Sequence, residues 1–146
     1  MSKRVDVLDA VKALAKRAVP HSVVRGMSAD EAKPTAIDAL GMAIVRSGDP
    51  GDPEVDLCPP TYWWEHRIPI ELAAYATPAR TSQQVLDEML TGFDREIRAD
   101  RTLRGLCLYL DAEAPSDGES EVTGGKPVGW ADFAIIASYS TTSPLG

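Results

Sequence analysis

The chain predicts an α+β domain: a mixed sheet of about four to five strands with two helices packed on one face. Three observations carry this. Two segments repeat apolar residues at three- and four-residue spacing, as amphipathic helices do. Others alternate with period two or run apolar over strand lengths. The segments follow in the order helix, hairpin, helix, hairpin, with a strand–helix–strand crossover at the centre. Such a crossover is almost always right-handed and makes its two strands parallel. With 146 residues, 44% of them apolar, one domain over residues 1–146 can bury one core.

The first helix is expected over residues 4–18, where Val7, Leu8, Val11, Leu14, Ala15 and Ala18 form a stripe and Pro20 stops the run. Val23-Val24-Arg25 suits a short strand, and 27–34 a polar loop. Residues 36–40 and 42–46 suit two strands interrupted by Gly41, with partial helix as the alternative. The segment 48–60 repeats Gly-Asp-Pro and ends in Pro59-Pro60, which predicts a long loop. The clearest strand follows. Trp64, Ile68, Ile70, Leu72 and Ala74 share one face and Glu65, Arg67 and Glu71 the other, while Pro69 calls for an edge position or a bulge. A second helix over 82–98 presents Val85, Leu86, Met89, Leu90, Phe93 and Ile97, with Thr81 and Gln84 spaced for a capping box. A strand over 106–112, an acidic Gly- and Pro-containing flexible loop over 113–128 and a last strand over 130–140 complete the order.

Between the second helix and its following strand lies Ala99-Asp100-Arg101-Thr102-Leu103-Arg104-Gly105-Leu106, and the chain closes on a strand from Ala134 that reaches Tyr139, Thr141 and Pro144. These segments resemble the tail terminator (tail completion) proteins of long-tailed phages and gene transfer agents. In that family a helix commonly runs into Ala-Asp-x-Thr-Leu-Gly-Gly-Leu, and the last strand reads roughly Tyr-x-Thr-x-x-x-Pro. Arg104 stands where the first of those glycines usually is. The resemblance covers the C-terminal half, and the N-terminal half by element order alone. It implies the same α+β architecture and a homohexameric ring that caps the tail tube, stops its polymerisation and joins it to the head-completion (stopper) protein. The implied location is the virion tail neck, after assembly in the host cytoplasm, with DNA passing through the lumen without specific binding.

The charge pattern is compatible with such a part. The formal net charge of −7 argues against tight wrapping of nucleic acid, which needs clustered Lys and Arg. Residues 1–26 carry Lys3, Arg4, Lys12, Lys16, Arg17 and Arg25 against Asp6 and Asp9, a net of +4 that leaves −11 elsewhere. Opposite-signed regions suit a head-to-tail contact between copies, although a solvated basic helix face accounts for the same pattern. Trp63 and Trp64 should point to opposite faces of their strand, so that one ring is either a contact residue or covered by a loop. The candidate subunit or tube interface is therefore Trp63, Trp64, Glu65, Arg67, Lys12, Lys16 and Arg17.

Catalytic, cofactor and metal motifs are not found. His66 has the parity of the buried residues of its strand and is expected to be a satisfied, partly buried imidazole, and His21 a solvated one. Cys58 suits a loop thiol and Cys107 a small core residue; neither has metal-ligand spacing. The acidic loop fails as a calcium site: with Asp117-Gly118 at its fifth and sixth positions, the third is Pro115 and the twelfth Gly124. No run is long enough to span a bilayer and no signal peptide is evident, so no membrane partner is expected. The competing classes are a head–tail joining or tail tube subunit, a small cytosolic α+β enzyme and a ligand-binding module. A tube subunit would need a long hairpin, for which 113–128 is poorly suited.

Overall fold

The computed structural model describes residues 2–34, 37–123 and 126–146, with side chains from 117 to 127 left aside; Ala36 of the expected strand and the Gly124-Gly125 pair lie outside it. The order is α1 (Lys3–Ala18), β1 (Val23–Met27), β2 (Met42–Arg46), β3 (Glu54–Asp56), β4 (Thr61–Tyr75), α2 (Ser82–Ala99), β5 (Tyr109–Ala112), β6 (Ser116–Thr123) and β7 (Lys126–Thr141). The fold is α+β, with one mixed sheet in the order β1-β2-β4-β7-β5; β3 adds to β4 and β6 to β7. Among the described residues, only β1 and β2 pair in parallel. The first pair is therefore not a hairpin, because the long excursion over 28–41 lets the chain return in the same direction. β4 and β5 are both antiparallel to β7, so the α2 crossover joins two parallel strands with β7 between them.

Both helices lie against one face. Ser2 caps α1 through its Oγ, and Thr81 and Gln84 form the reciprocal box that starts α2. Val7, Val11 and Leu14 meet Leu86, Met89, Phe93 and Ile97 over Ile68, Ile70 and Leu72, the set that the periodicity selects. Phe93 meets Phe133 edge-on at 5.2 Å between centroids. Gly92 matters here: a Cβ would stand 2.2 Å from the Ala18 carbonyl oxygen, so glycine alone lets the end of α1 lie against α2.

The opposite face has its own smaller cluster of Ile37, Met42, Ile44, Ala73, Val128 and Trp130. Arg46 fastens the loop over it by donating to the carbonyls of Ser28 and Glu31 and to Glu71 Oε2 at 3.0 Å.

Four expectations are corrected. The segment 37–41 is loop rather than strand, since Leu40 N and Gly41 N both fold back on Asp38. The segment 48–60 contains β3, zipped to Thr61–Trp63. Most of 113–128 is strand: β6 and the start of β7 form a hairpin, because backbone pairing to β7 outweighs a polar composition. Leu106 to Leu108 are turn and bend rather than strand, held where Cys107 N bonds the Thr102 carbonyl.

β4 is interior, not an edge, yet Pro69 fits. Arg67 N and O both bond Asp49 on the β2 side, so by period two the missing N–H of Pro69 faces the gap between that bridge and the end of β2 at Val45–Ile70.

The two sheet edges differ. At β5 the outward N–H and C=O of Leu110 are taken by the Arg101 carbonyl (2.7 Å) and guanidinium (3.0 Å). At β1, Val23 N bonds Gly41 O and Met27 O accepts from Ser47 N, so Val24 and Gly26 turn their backbone groups to the open side.

Candidate assembly interface

The first half of β4 carries the site, and its period of two separates the neighbouring tryptophans. Trp64 enters the helix face, packs against the main core and donates from Nε1 to Thr141 Oγ1 at 2.9 Å. Trp63 stays 37% exposed on the other face, its Nε1 donating to Asp56 Oδ2 at 2.8 Å. The one-core argument therefore resolves in favour of Trp63 as the outward ring. β3 supplies Asp56, so this short strand holds the indole at a fixed angle.

The loop before β3 crosses β4 at Gly48, whose φ is +69° and whose missing Cβ would stand 2.0 Å from the Arg67 carbonyl oxygen. That approach brings Asp49 against Arg67 in a two-bond bridge. Beneath it lies His66, fully buried. Nε2 donates to the Ser47 carbonyl at 2.8 Å, which fixes the tautomer and leaves Nδ1 to accept from the Tyr139 hydroxyl at 3.1 Å. Burial holds this imidazole below its ordinary pKa and raises the Tyr139 phenol above its own. The satisfied-histidine expectation holds, with complete burial rather than partial.

Pro50, Asp52, Glu54, Trp63, Glu65 and Leu108 surround a groove of about 480 Å³. Glu65, Ser138 and Tyr109 stand in one row across β4, β7 and β5. Leu108 and Tyr109 are 59% and 48% exposed, so the far face is bare at this end.

The seven candidate residues divide among three places, Trp64 being held against the main core. Trp63, Glu65 and Arg67 share the far face of β4, whereas Lys12, Lys16 and Arg17 lie on α1, against the other face. Arg67 is already engaged with Glu113 through two bonds of 2.9 and 2.8 Å, which hold that carboxylate below its usual pKa and raise the guanidinium. Arg17 is bonded to Glu96 at 3.2 Å. Lys12 lies over Gly26 and 3.9 Å from Asp9, and Lys16 is exposed. Sequence reasoning missed Asp52, Glu54, Leu108 and Tyr109. The Leu-x-Leu-x-Leu alternation over 106–110 was a signal for an outward Tyr109, but nothing flagged a strand among prolines.

The connection after α2 has consecutive left-handed residues: Leu103 (φ +49°), Arg104 (+57°) and Gly105 (+88°). Asp100 holds it, accepting from Thr102 N, Thr102 Oγ1 and Arg104 N, and these bonds lower its carboxyl pKa. Cys107 is buried beside this turn, and desolvation pushes its thiol up to about 11; Cys58 is exposed. Among the described residues no group of three or more His, Cys, Asp or Glu side chains is placed to hold a metal ion, and no helix is long and apolar enough to cross a membrane. No protein-family model matches the chain, and no curated protein matches its sequence.

Proposed function

We propose that this protein is a structural assembly part of a phage-like particle, of the tail terminator kind: a ring that caps the tail tube, ends its growth and presents a surface to head-completion proteins. The observation that carries the reading is the turn after α2. The family pattern places glycine at 104, and this chain adopts φ +57° there although the residue is arginine, so the backbone required by a Gly-Gly turn is kept while the side chain departs from it. The bare end of the far face, with its outward tryptophan, supports a role in binding rather than turnover. The net charge of −7 suits a lumen through which DNA passes without being held.

The work of such a part is done by complementarity alone. One face imitates the next layer of tube protein and the other accepts no further layer, so polymerisation stops without any covalent step. The test is to add the purified protein to assembling tail tubes and measure tube lengths by electron microscopy. Tubes ending at a ring of this protein are expected. Unchanged lengths, or a turnover reaction abolished by replacing one residue, would overturn the reading.

One observation favours a second reading, a tube subunit: β6 and β7 form a hairpin where a flexible loop was expected. In the same experiment a tube subunit would polymerise by itself and lengthen tubes.

A further inference from the structure

The groove around Trp63 has a composition with a specific meaning. Asp52, Glu54 and Glu65 line it, and among the described residues none of the three takes part in an ion pair. The indole beside them is held by Asp56, so its ring is oriented before anything binds. Carboxylates around a fixed aromatic face attract a cationic side chain by charge and by the ring quadrupole together. Apolar contact is available at the same place from Leu108. Arg4 lines an adjoining crevice with Trp64 and Pro50 rather than the groove.

The chain carries a matching surface elsewhere. Lys12 and Lys16 are one helical turn apart on α1, and Lys12 reaches over Gly26 of β1; Arg25 projects from the other face of that strand and is not part of this surface. This cationic edge is also the edge whose Val24 and Gly26 backbone groups face outward.

We propose that the Trp63 groove is the acceptor half of a contact between copies of this chain, and that the edge formed by Lys12 and Lys16 beside β1 is the donor half. The halves share no residue, so the contact is heterologous: each copy uses its groove for one neighbour and its edge for the other, which closes into a ring or continues as a filament. The proposal names the subunit contact for the ring reading above and rests on that reading only for its biological setting.

Two variants of the full chain test it. The first, Trp63→Ala with Glu65→Lys, removes the acceptor; the second, Lys12→Glu with Lys16→Glu, removes the donor. All these side chains are at least partly exposed, and circular dichroism and melting temperature confirm folding before association is measured. Sedimentation of the wild type at low ionic strength is expected to show reversible association that weakens as salt screens the contact. Each variant alone should associate about thirtyfold or more weakly, the effect of losing one interface anchor. Mixed together, they should form one-to-one dimers and nothing larger, because each supplies the half the other lacks. A wild type that stays monomeric, variants that associate as it does, or a mixture without dimers would each overturn the proposal. A monomeric wild type that still caps tubes would overturn this contact and leave the capping role standing. Association through these patches with no effect on tubes would do the reverse.

Discussion

The two faces of the sheet are closed in different ways. On the helix side, α1 and α2 cover β2, β4 and β7 with a continuous apolar core, and Trp64, His66 and Tyr139 extend it to the end of β4 with their polar atoms bonded. On the far side only one end is covered, by a loop fastened through Arg46, while the Trp63 end is bare. The same strand serves both faces, so stability and interaction are carried by alternate residues of β4. A substitution at an even position from 64 to 72 tests the core, and one at 63 or 65 tests the surface.

The largest effect is expected from Phe93→Ala, which removes a ring 1% exposed between α2 and β7 and should cost about 3–5 kcal/mol in denaturant unfolding. An unchanged midpoint would show that the helix layer is not the main source of stability. On the far face, Arg46→Ala leaves the nearly buried Glu71 carboxylate and two loop carbonyls without their donor, and should cost about 3 kcal/mol. Limited proteolysis should then cut within 28–34 while the helices stay protected. His66 sharpens the contrast through pH. Its folded pKa lies below the free value of 6.5, so the unfolded chain binds the proton more readily and stability is lost as pH falls below 6.5. His66→Gln should flatten that slope in thermal melts between neutral and acid pH.

Smaller still is Arg104→Gly, expected to raise stability by up to about 1 kcal/mol because glycine takes φ +57° without steric cost. The smallest is Trp63→Ala, which should change unfolding by less than about 0.5 kcal/mol while weakening association, since that ring lies outside both apolar clusters. A large loss of stability there would mean that Trp63 serves the fold rather than the surface.

Period and capping made much of this legible. The α1 stripe, the α2 box and the β4 alternation each rest on interactions within a few residues, and local pattern records such interactions. What depends on distant partners was not legible. β6 is acidic and glycine-containing, and its strand state comes from pairing with β7. β3 is three residues among prolines, and exists because Thr61–Trp63 lies beside it. Of the candidate interface, the alternation groups Trp64 with Ile68, Ile70 and Leu72 and so turns Trp63 outward; that Thr141, 77 residues away, would receive the Trp64 indole has no local signature. That Arg67 and Arg17 would be engaged by Glu113 and Glu96, 46 and 79 residues away, has no local signature.

The sealing of Leu110 by Arg101 bears on crowding. Many copies of an open sheet held at high local concentration would tend to stack edge to edge, and such stacks grow without limit and resist reversal. With the β5 edge blocked at its centre, a strand offered by one molecule finds no free partner at that place on the next, and sheet-to-sheet aggregation cannot propagate through β5. Replacing Arg101 would give the molecule a second sticky end.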